Sequence, residues 1–237
     1  MNEKIVFLHL PKTGGTTLHN LLIKHFEEDE ICKERTNELA KISEEEIGSK
    51  RLFSGHFTYN TVIQKIPEPR KIITLLREPK SRILSEYYFR RSHKIEFILE
   101  HYPSYLPAKK YNLSDYLDHQ KNEIGNKMTR FLSDSELDEK QQLDLAKKRL
   151  REMTAIGITE EIGFSINFIF SSLGFPIPTE TPRYLAFDKL AEEYSYCEKI
   201  VKEPLTNEIK QKLDELTYLD QQLYKYAVQL WSSLVLS

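Results

Sequence analysis

Ile5-Val6-Phe7-Leu8-His9-Leu10-Pro11-Lys12-Thr13-Gly14-Gly15-Thr16-Thr17 is the stretch on which the fold turns. Its first six residues form a β-prone apolar run, and Pro-Lys-Thr-Gly-Gly then stops it, which predicts a buried strand feeding a tight turn. Beyond the turn, Leu18, Leu21, Leu22 and His25 fall at i, i+3, i+4 and i+7, the spacing of one helix face. The same alternation recurs along the chain. Arg51–Phe57 and Lys71–Leu76 read as strands, the second ending in the polar turn Arg77-Glu78-Pro79. A helix from Lys80 to Arg91 follows, since proline suits a helix entrance. Met153–Ile158 is a short strand between helices expected over 140–152 and 160–173, with further helices near 114–120 and 207–235. His101–Asn112, holding Pro103 and Pro107, is expected to be an irregular loop, and Gly174–Pro182 a connection. Strand-then-helix alternation predicts an α/β fold with a central, mostly parallel sheet flanked by helices. With no internal repeat, low-complexity tract or linker, residues 1–237 read as a single domain.

Composition narrows the classes. The 237 residues carry 34 Lys+Arg against 36 Asp+Glu, a formal net charge of −2, and are 40% hydrophobic. That balance argues against a general nucleic-acid binder, which shows a strongly basic face. Two cysteines, Cys32 and Cys197, cannot build a disulfide framework or a four-cysteine zinc site. No run approaches the roughly 18 apolar residues of a membrane helix, so no membrane insertion is expected. The first strand begins within five residues of Met1, which leaves no room for an anchor, and a cytoplasmic address is the expectation. The charge is unevenly spread. Residues 27–46 hold nine acids and three bases and read as a solvated helix or surface loop, whereas residues 70–94 hold eight bases and two acids.

Glycines between a strand and a helix let backbone N–H groups and the helix N-terminus face an anion. Here Thr16 and Thr17 add hydroxyls and Lys12 a mobile charge, where Gly-Gly alone would be an ordinary turn. The pattern is not G-x-x-x-x-G-K-[ST], because the lysine precedes both glycines. Its place at the start of the loop suits contact with a leaving-group oxygen. Arg77 at a strand end and Ser85 on the following helix can converge on a second phosphate, the guanidinium gripping it through paired donors.

Together, the segments 9–18 (HLPKTGGTTL) and 75–89 (LLREPKSRILSEYYF) resemble the two signatures of sulfotransferases that use 3′-phosphoadenosine 5′-phosphosulfate, PAPS. Within that family the likeness is to the carbohydrate group that includes the heparan-sulfate 2-O-sulfotransferases. The resemblance implies a P-loop-like three-layer fold, PAPS as co-substrate and PAP as product. It implies that Lys12, Thr13, Gly14, Gly15, Thr16 and Thr17 hold the 5′-phosphosulfate, and that Arg77 and Ser85 hold the 3′-phosphate. Weaker echoes follow in the expected order at Gly55-His56, Gly157-Ile158-Thr159-Glu160 and 220–227. Gly-Gly replaces the Gly-Ser of some animal relatives, which leaves the backbone role intact.

Sulfuryl transfer to a hydroxyl demands an in-line nucleophile and a neutralised leaving phosphate, and the group in flight carries less charge than a phosphoryl group, so no metal is required. Lys12 is the candidate to neutralise the leaving oxygen. His56 matches a histidine that the resemblance makes catalytic, and an imidazole titrates where a general base is needed. Without the resemblance His56 reads first as a hydrogen-bonded structural histidine. Asn126 and Arg130 resemble an Asn…Thr-Arg stretch near the acceptor or cofactor, and a helix surface explains Arg130 almost as well. Tyr87, Tyr88, Tyr102, Tyr105 and Tyr111 are candidates to line an acceptor cleft. The expected function is transfer from PAPS to a hydroxyl of a carbohydrate or other small molecule. A nucleotide-dependent kinase and a non-catalytic PAP- or nucleotide-binding module are the alternatives. The acceptor and the oligomeric state stay open.

Overall fold

The structure, a computed structural model, describes residues 3–180 and 189–235. Four strands, β1 (Lys4–Leu8), β2 (Leu52–Gly55), β3 (Arg70–Leu76) and β4 (Ala155–Ile158), form one parallel sheet in the order β2-β1-β3-β4. Its principal helices are α1 (Gly15–Leu22), α2 (Pro79–Ser92), α3 (Leu113–His119), α4 (Lys127–Leu132), α5 (Glu139–Glu152), α6 (Ile162–Leu173), α7 (Asn207–Leu216) and α8 (Tyr218–Val235).

The sheet is covered on both faces, which is why its strands read as unbroken apolar runs. Side chains alternate along β1. Ile5 and Phe7 join Leu52, Ile73 and Leu75 in a core that α1 and α6 close with Leu18, Leu22, Ile166 and Phe170. Val6 and Leu8 join Phe53, Ile72, Leu76 and Ile156 on the opposite face, under Leu132, Leu150 and Leu223 of α4, α5 and α8. This is the three-layer α/β arrangement that the strand–helix alternation predicts. A third cluster lies between α2, α3 and α7, where Ile83, Tyr87, Tyr116, Leu117 and Leu213 pack.

Strand order positions the site. From β1 the chain turns to β2 on one side and later to β3 on the other, so the topological switch point lies at the carboxyl ends of β1 and β3. Leu8 pairs with both Gly55 and Thr74, and Leu76 with Ile158, so β1 and β2 end level while β3 and β4 run two residues further. The Thr74 hydroxyl donates to the Leu8 carbonyl at 2.7 Å across that join.

Several expectations change. The segment 101–112 contains a 3₁₀ turn, Pro103–Tyr105, and a short helix, Leu106–Lys110, because each proline stands in a first helical turn, where its missing N–H costs nothing. The helix expected over 207–235 breaks at Thr217, where α7 ends and α8 begins. The break is stabilised from outside: Asn126 Oδ1 accepts from the N–H groups of Leu219 (2.9 Å) and Asp220 (3.2 Å). The acidic stretch 27–46, expected as a solvated helix or surface loop, is mostly exposed and holds short 3₁₀ turns before the helix Glu44–Ser49 begins, so it takes the loop form. It also reaches the sheet, since Cys32 N–H bonds the Leu52 carbonyl at 2.8 Å and His56 N–H the Arg35 carbonyl at 2.7 Å. Of the connection 174–182, residues 181 and 182 lie outside the described residues. Among the described residues no helix is long and apolar enough to cross a membrane.

Candidate functional site

The β1–α1 turn is shaped by two left-handed residues, Lys12 (φ 65°) and Gly14 (φ 78°). Gly14 is the N-cap of α1 and offers no side-chain acceptor to the first amides of that helix, of which the Thr17 N–H reaches the Gly14 carbonyl at 3.2 Å. Thr13 is fully buried and its hydroxyl donates to the Leu10 carbonyl at 2.8 Å, so it braces the turn from within. Thr17 is buried and Thr16 partly exposed. Gly15 has a steric reason: a Cβ there would stand 2.1 Å from His9 Cδ2. His9 lies under the loop, stacked on Phe7 with ring centroids 5.1 Å apart, as a residue ending a core strand should.

His56 follows β2 directly and meets this loop. Its ring lies 4.4 Å from that of His9, and its Nδ1 bonds the His9 carbonyl at 2.7 Å. A carbonyl only accepts, so Nδ1 carries the proton and Nε2 of the neutral ring is an acceptor. Burial lowers the His56 pKa below the ordinary imidazole value of 6.5; the His9 carbonyl opposes this, and the charges of Arg35 and Lys127 reinforce it. The neutral, base-competent form is therefore the one present at neutral pH.

Across the switch point, Arg77 Nη1 donates to the Lys12 carbonyl at 3.2 Å, joining the two sequence signatures. Ser85 lies in the second turn of α2, partly exposed. Glu78 caps α2, accepting from Lys80 N–H at 3.0 Å and Ser81 N–H at 2.7 Å. Lys12 Nζ rests 3.5 Å from the centroid of the Phe89 ring. Burial, with the charges of Arg77 and Arg90, brings its pKa down to about 7 even though Glu86 pulls the other way.

The weaker sequence echoes gather at the same edge. Thr159, after β4, donates its hydroxyl toward the carbonyls of Thr13 (2.7 Å) and Leu76 (2.9 Å), bracing both loops. Glu160 accepts from Glu78 N–H at 3.0 Å and from the Tyr224 hydroxyl at 2.8 Å.

Other candidates separate from this group. Asn126 caps α8, and Arg130 donates to the carbonyls of Asn122 (2.7 Å) and Glu123 (2.6 Å), so both side chains are engaged in joining helices. Tyr87 and Tyr88 are buried in the third cluster, Tyr87 donating to Glu203 at 2.6 Å, and Tyr111 packs against the same cluster; core packing explains all three. Tyr102 and Tyr105 line a cavity beside Phe89.

Sequence reasoning passed over Glu86. Buried on α2, it binds Arg82 (2.6 Å), Arg90 (2.5 Å) and Lys127 (3.1 Å), and its charge acts on Lys12. Its i−4 and i+4 spacing to Arg82 and Arg90 was the available signal. Arg35, from the acidic stretch, was also missed; its Nε donates to the Ser54 carbonyl at 3.2 Å.

The chain is 25% identical to human heparan-sulfate 6-O-sulfotransferase 2 over 97% of its length and 45% of that protein's. It is also 25% identical to mouse heparan-sulfate 6-O-sulfotransferase 3 over 97% of this chain and 57% of the relative. Thus the chain spans about half the length of these relatives, and their 6-O name replaces the 2-O group to which the motifs pointed. A protein-tyrosine sulfotransferase of Arabidopsis thaliana is 32% identical over 91 residues, 38% of this chain and 18% of the relative. In structure the chain resembles mouse sulfotransferase SULT7A1 complexed with PAP, with a TM-score of 0.51 and 15% identity over 96% of this chain and 89% of that one, a likeness of fold. The family model described as Sulfotransferase family matches residues 1–227, and the chain belongs to that family.

Proposed function

We propose that this protein transfers a sulfuryl group from PAPS to a hydroxyl of a carbohydrate-like acceptor. One observation carries the reading: at the switch point of a parallel sheet, a glycine-built anion cradle, the Arg77 guanidinium and a histidine with a fixed tautomer come together. Membership of the family and the names of its heparan-sulfate relatives support the reaction and the acceptor class. The loop fits an anionic nucleotide, since Gly14 gives the α1 amides no side-chain cap and the Arg77 guanidinium reaches the Lys12 backbone. PAPS, when bound, supplies the sulfuryl group and a phosphate that leaves. In this proposal the loop amides of 13–17 and Lys12 hold the 5′ end, and Lys12 neutralises the leaving oxygen. Arg77 and Ser85 hold the 3′-phosphate. His56 Nε2 takes the proton of the acceptor hydroxyl.

Calorimetry with PAP and with ATP, each with and without magnesium, tests the proposal. Metal-independent PAP binding with little response to ATP is expected. Tight Mg-ATP binding with no response to PAP would favour the kinase reading and end this one.

A further inference from the structure

Phe89, on which Lys12 rests, is also a wall of a cavity of about 150 Å³. Its other walls include His93, Phe97, Tyr102, Tyr105 and Tyr196. These rings are ordered platforms: Phe97 stacks on Tyr196 with centroids 4.3 Å apart and planes 10° from parallel, and Tyr102 on Tyr105 at 5.1 Å and 14°. Backbone bonds fix the two sides together. Lys94 N–H donates to the Tyr196 carbonyl at 2.9 Å and Glu198 N–H to the Ser92 carbonyl at 2.7 Å, so the segment carrying Tyr196 is clamped to the end of α2.

One polar group in the wall has a defined role. His93 Nδ1 bonds the Phe89 carbonyl at 2.8 Å, so Nδ1 is the donor and Nε2 is left as an acceptor. Burial keeps this ring neutral, helped by the charges of Lys12 and Lys109 and opposed by the Phe89 carbonyl. The cations beside the cavity are already paired, Lys109 with Glu198 and Arg90 with Glu86 and Glu123. Small-molecule pockets run from about 300 to 1,000 Å³, so this one holds a single ring rather than a chain segment.

We propose that this cavity is the acceptor subsite and that it takes one uncharged six-membered ring bearing a hydroxyl, stacked on the aromatic walls beside Lys12. The inference rests on the sulfotransfer reading, in which Lys12 marks the point of transfer. Two sources share that chemistry, a neutral pyranose and a phenol. A polyanionic sugar fits poorly, because Lys109 and Arg90 are neutralised by carboxylates and Lys12, with a pKa of about 7, is charged only in part near neutrality.

Saturation-transfer NMR on the full chain, at millimolar methyl β-glucopyranoside, 4-methylphenol or an anionic heparin-derived disaccharide, tests the assignment. At least one neutral ring should bind, and which one does identifies the source, while the disaccharide should not. Tyr196→Ala removes a wall and Leu190→Phe fills the space; each should weaken ring binding by about tenfold or more. Thermal melts confirm that the variants fold, and Leu190→Phe keeps the test open if the alanine variant does not. The proposal is overturned if neither neutral ring binds, if both variants bind like the parent, or if the disaccharide displaces the ring. PAP calorimetry on the same samples separates the two readings. PAP binding without ring binding defeats the subsite alone. Ring binding without PAP binding defeats sulfotransfer, and with it the acceptor role of the cavity.

Discussion

Lys12 is poised rather than permanently charged. Its ammonium has exchanged water for the face of Phe89, and with a pKa of about 7 the free protein holds a mixture of charged and neutral lysine near neutrality. A bound phosphate favours the charged form, so PAP binding should take up a proton above pH 7 and weaken as the pH rises. Calorimetry at pH 8 in two buffers of different ionisation enthalpy measures that uptake. Lys12→Arg should abolish it, because a guanidinium stays charged. His56 has the opposite requirement. Its pKa lies below 6.5, so turnover should be flat across neutral pH and fall only as the solution is acidified through that lowered value. His56→Ala should keep PAP affinity and lose turnover by roughly 10²–10⁴-fold, the usual worth of a general base. Near-parental turnover in the variant would place the base elsewhere.

At the scale of elements, α2 performs two tasks with one sequence. Its outer turns pack Ile83 and Tyr87 into the third cluster, while Glu86 gathers Arg82, Arg90 and Lys127 in the interior. Burial alone would push the Glu86 pKa up, but Arg82, Lys127 and Arg90 overcome it and hold the carboxyl well below its ordinary value of 4.5. Stabilisation from this group is therefore complete above pH 4.5 and is lost as the pH falls through the depressed folded value. Glu86→Gln leaves the buried Arg82 without an anion, with Glu123 alone remaining to Arg90 and Lys127, and should cost about 3–5 kcal/mol in urea unfolding at pH 7. A parental midpoint would show that the cations find other partners. The strands and the β1–α1 loop were legible in the sequence because Pro11, Gly14 and Pro79 punctuate apolar runs and the sheet is buried on both faces. The Glu86 hub was not, since a helix rich in Arg and Lys reads as a solvated surface until tertiary packing covers it. The aromatic cavity was hidden for another reason: His93 and Cys197 are bridged backbone to backbone although more than a hundred positions separate them. The cap that Asn126 gives α8 belongs to the same class of long-range contact.

For the molecule as a whole, sheet order decides where chemistry can occur and the C-terminal helix decides whether that edge holds together. Every strand delivers a residue of the candidate site from its carboxyl end: Lys12 after β1, His56 after β2, Arg77 after β3 and Thr159 after β4. Behind them, α8 covers one face of the sheet through Leu223 and Ala227 and supplies Tyr224 to Glu160. Its anchor is Asp220, fully inside the protein, which accepts from Met128 N–H (3.1 Å), Thr129 N–H (2.8 Å) and the Thr129 hydroxyl (2.8 Å). These amides open α4, so a single carboxylate caps one helix from the first turn of another. Removing it strands two buried N–H donors, each worth about 1–3 kcal/mol when left unsatisfied. Asp220→Ala should thus lose about 3 kcal/mol, which for a chain of this length lowers the melting midpoint by about 6–12 °C. Because Asn126 and Lys127 lie at the same junction, Lys127 being bound to Glu86, the loosening should also spread toward the site. PAP affinity should fall in Asp220→Ala well below the melting range, whereas Asp220→Asn, which keeps an acceptor for one of the donors, should lie between parent and alanine variant. Equal melting of all three proteins would mean that α8 is held by its apolar face alone.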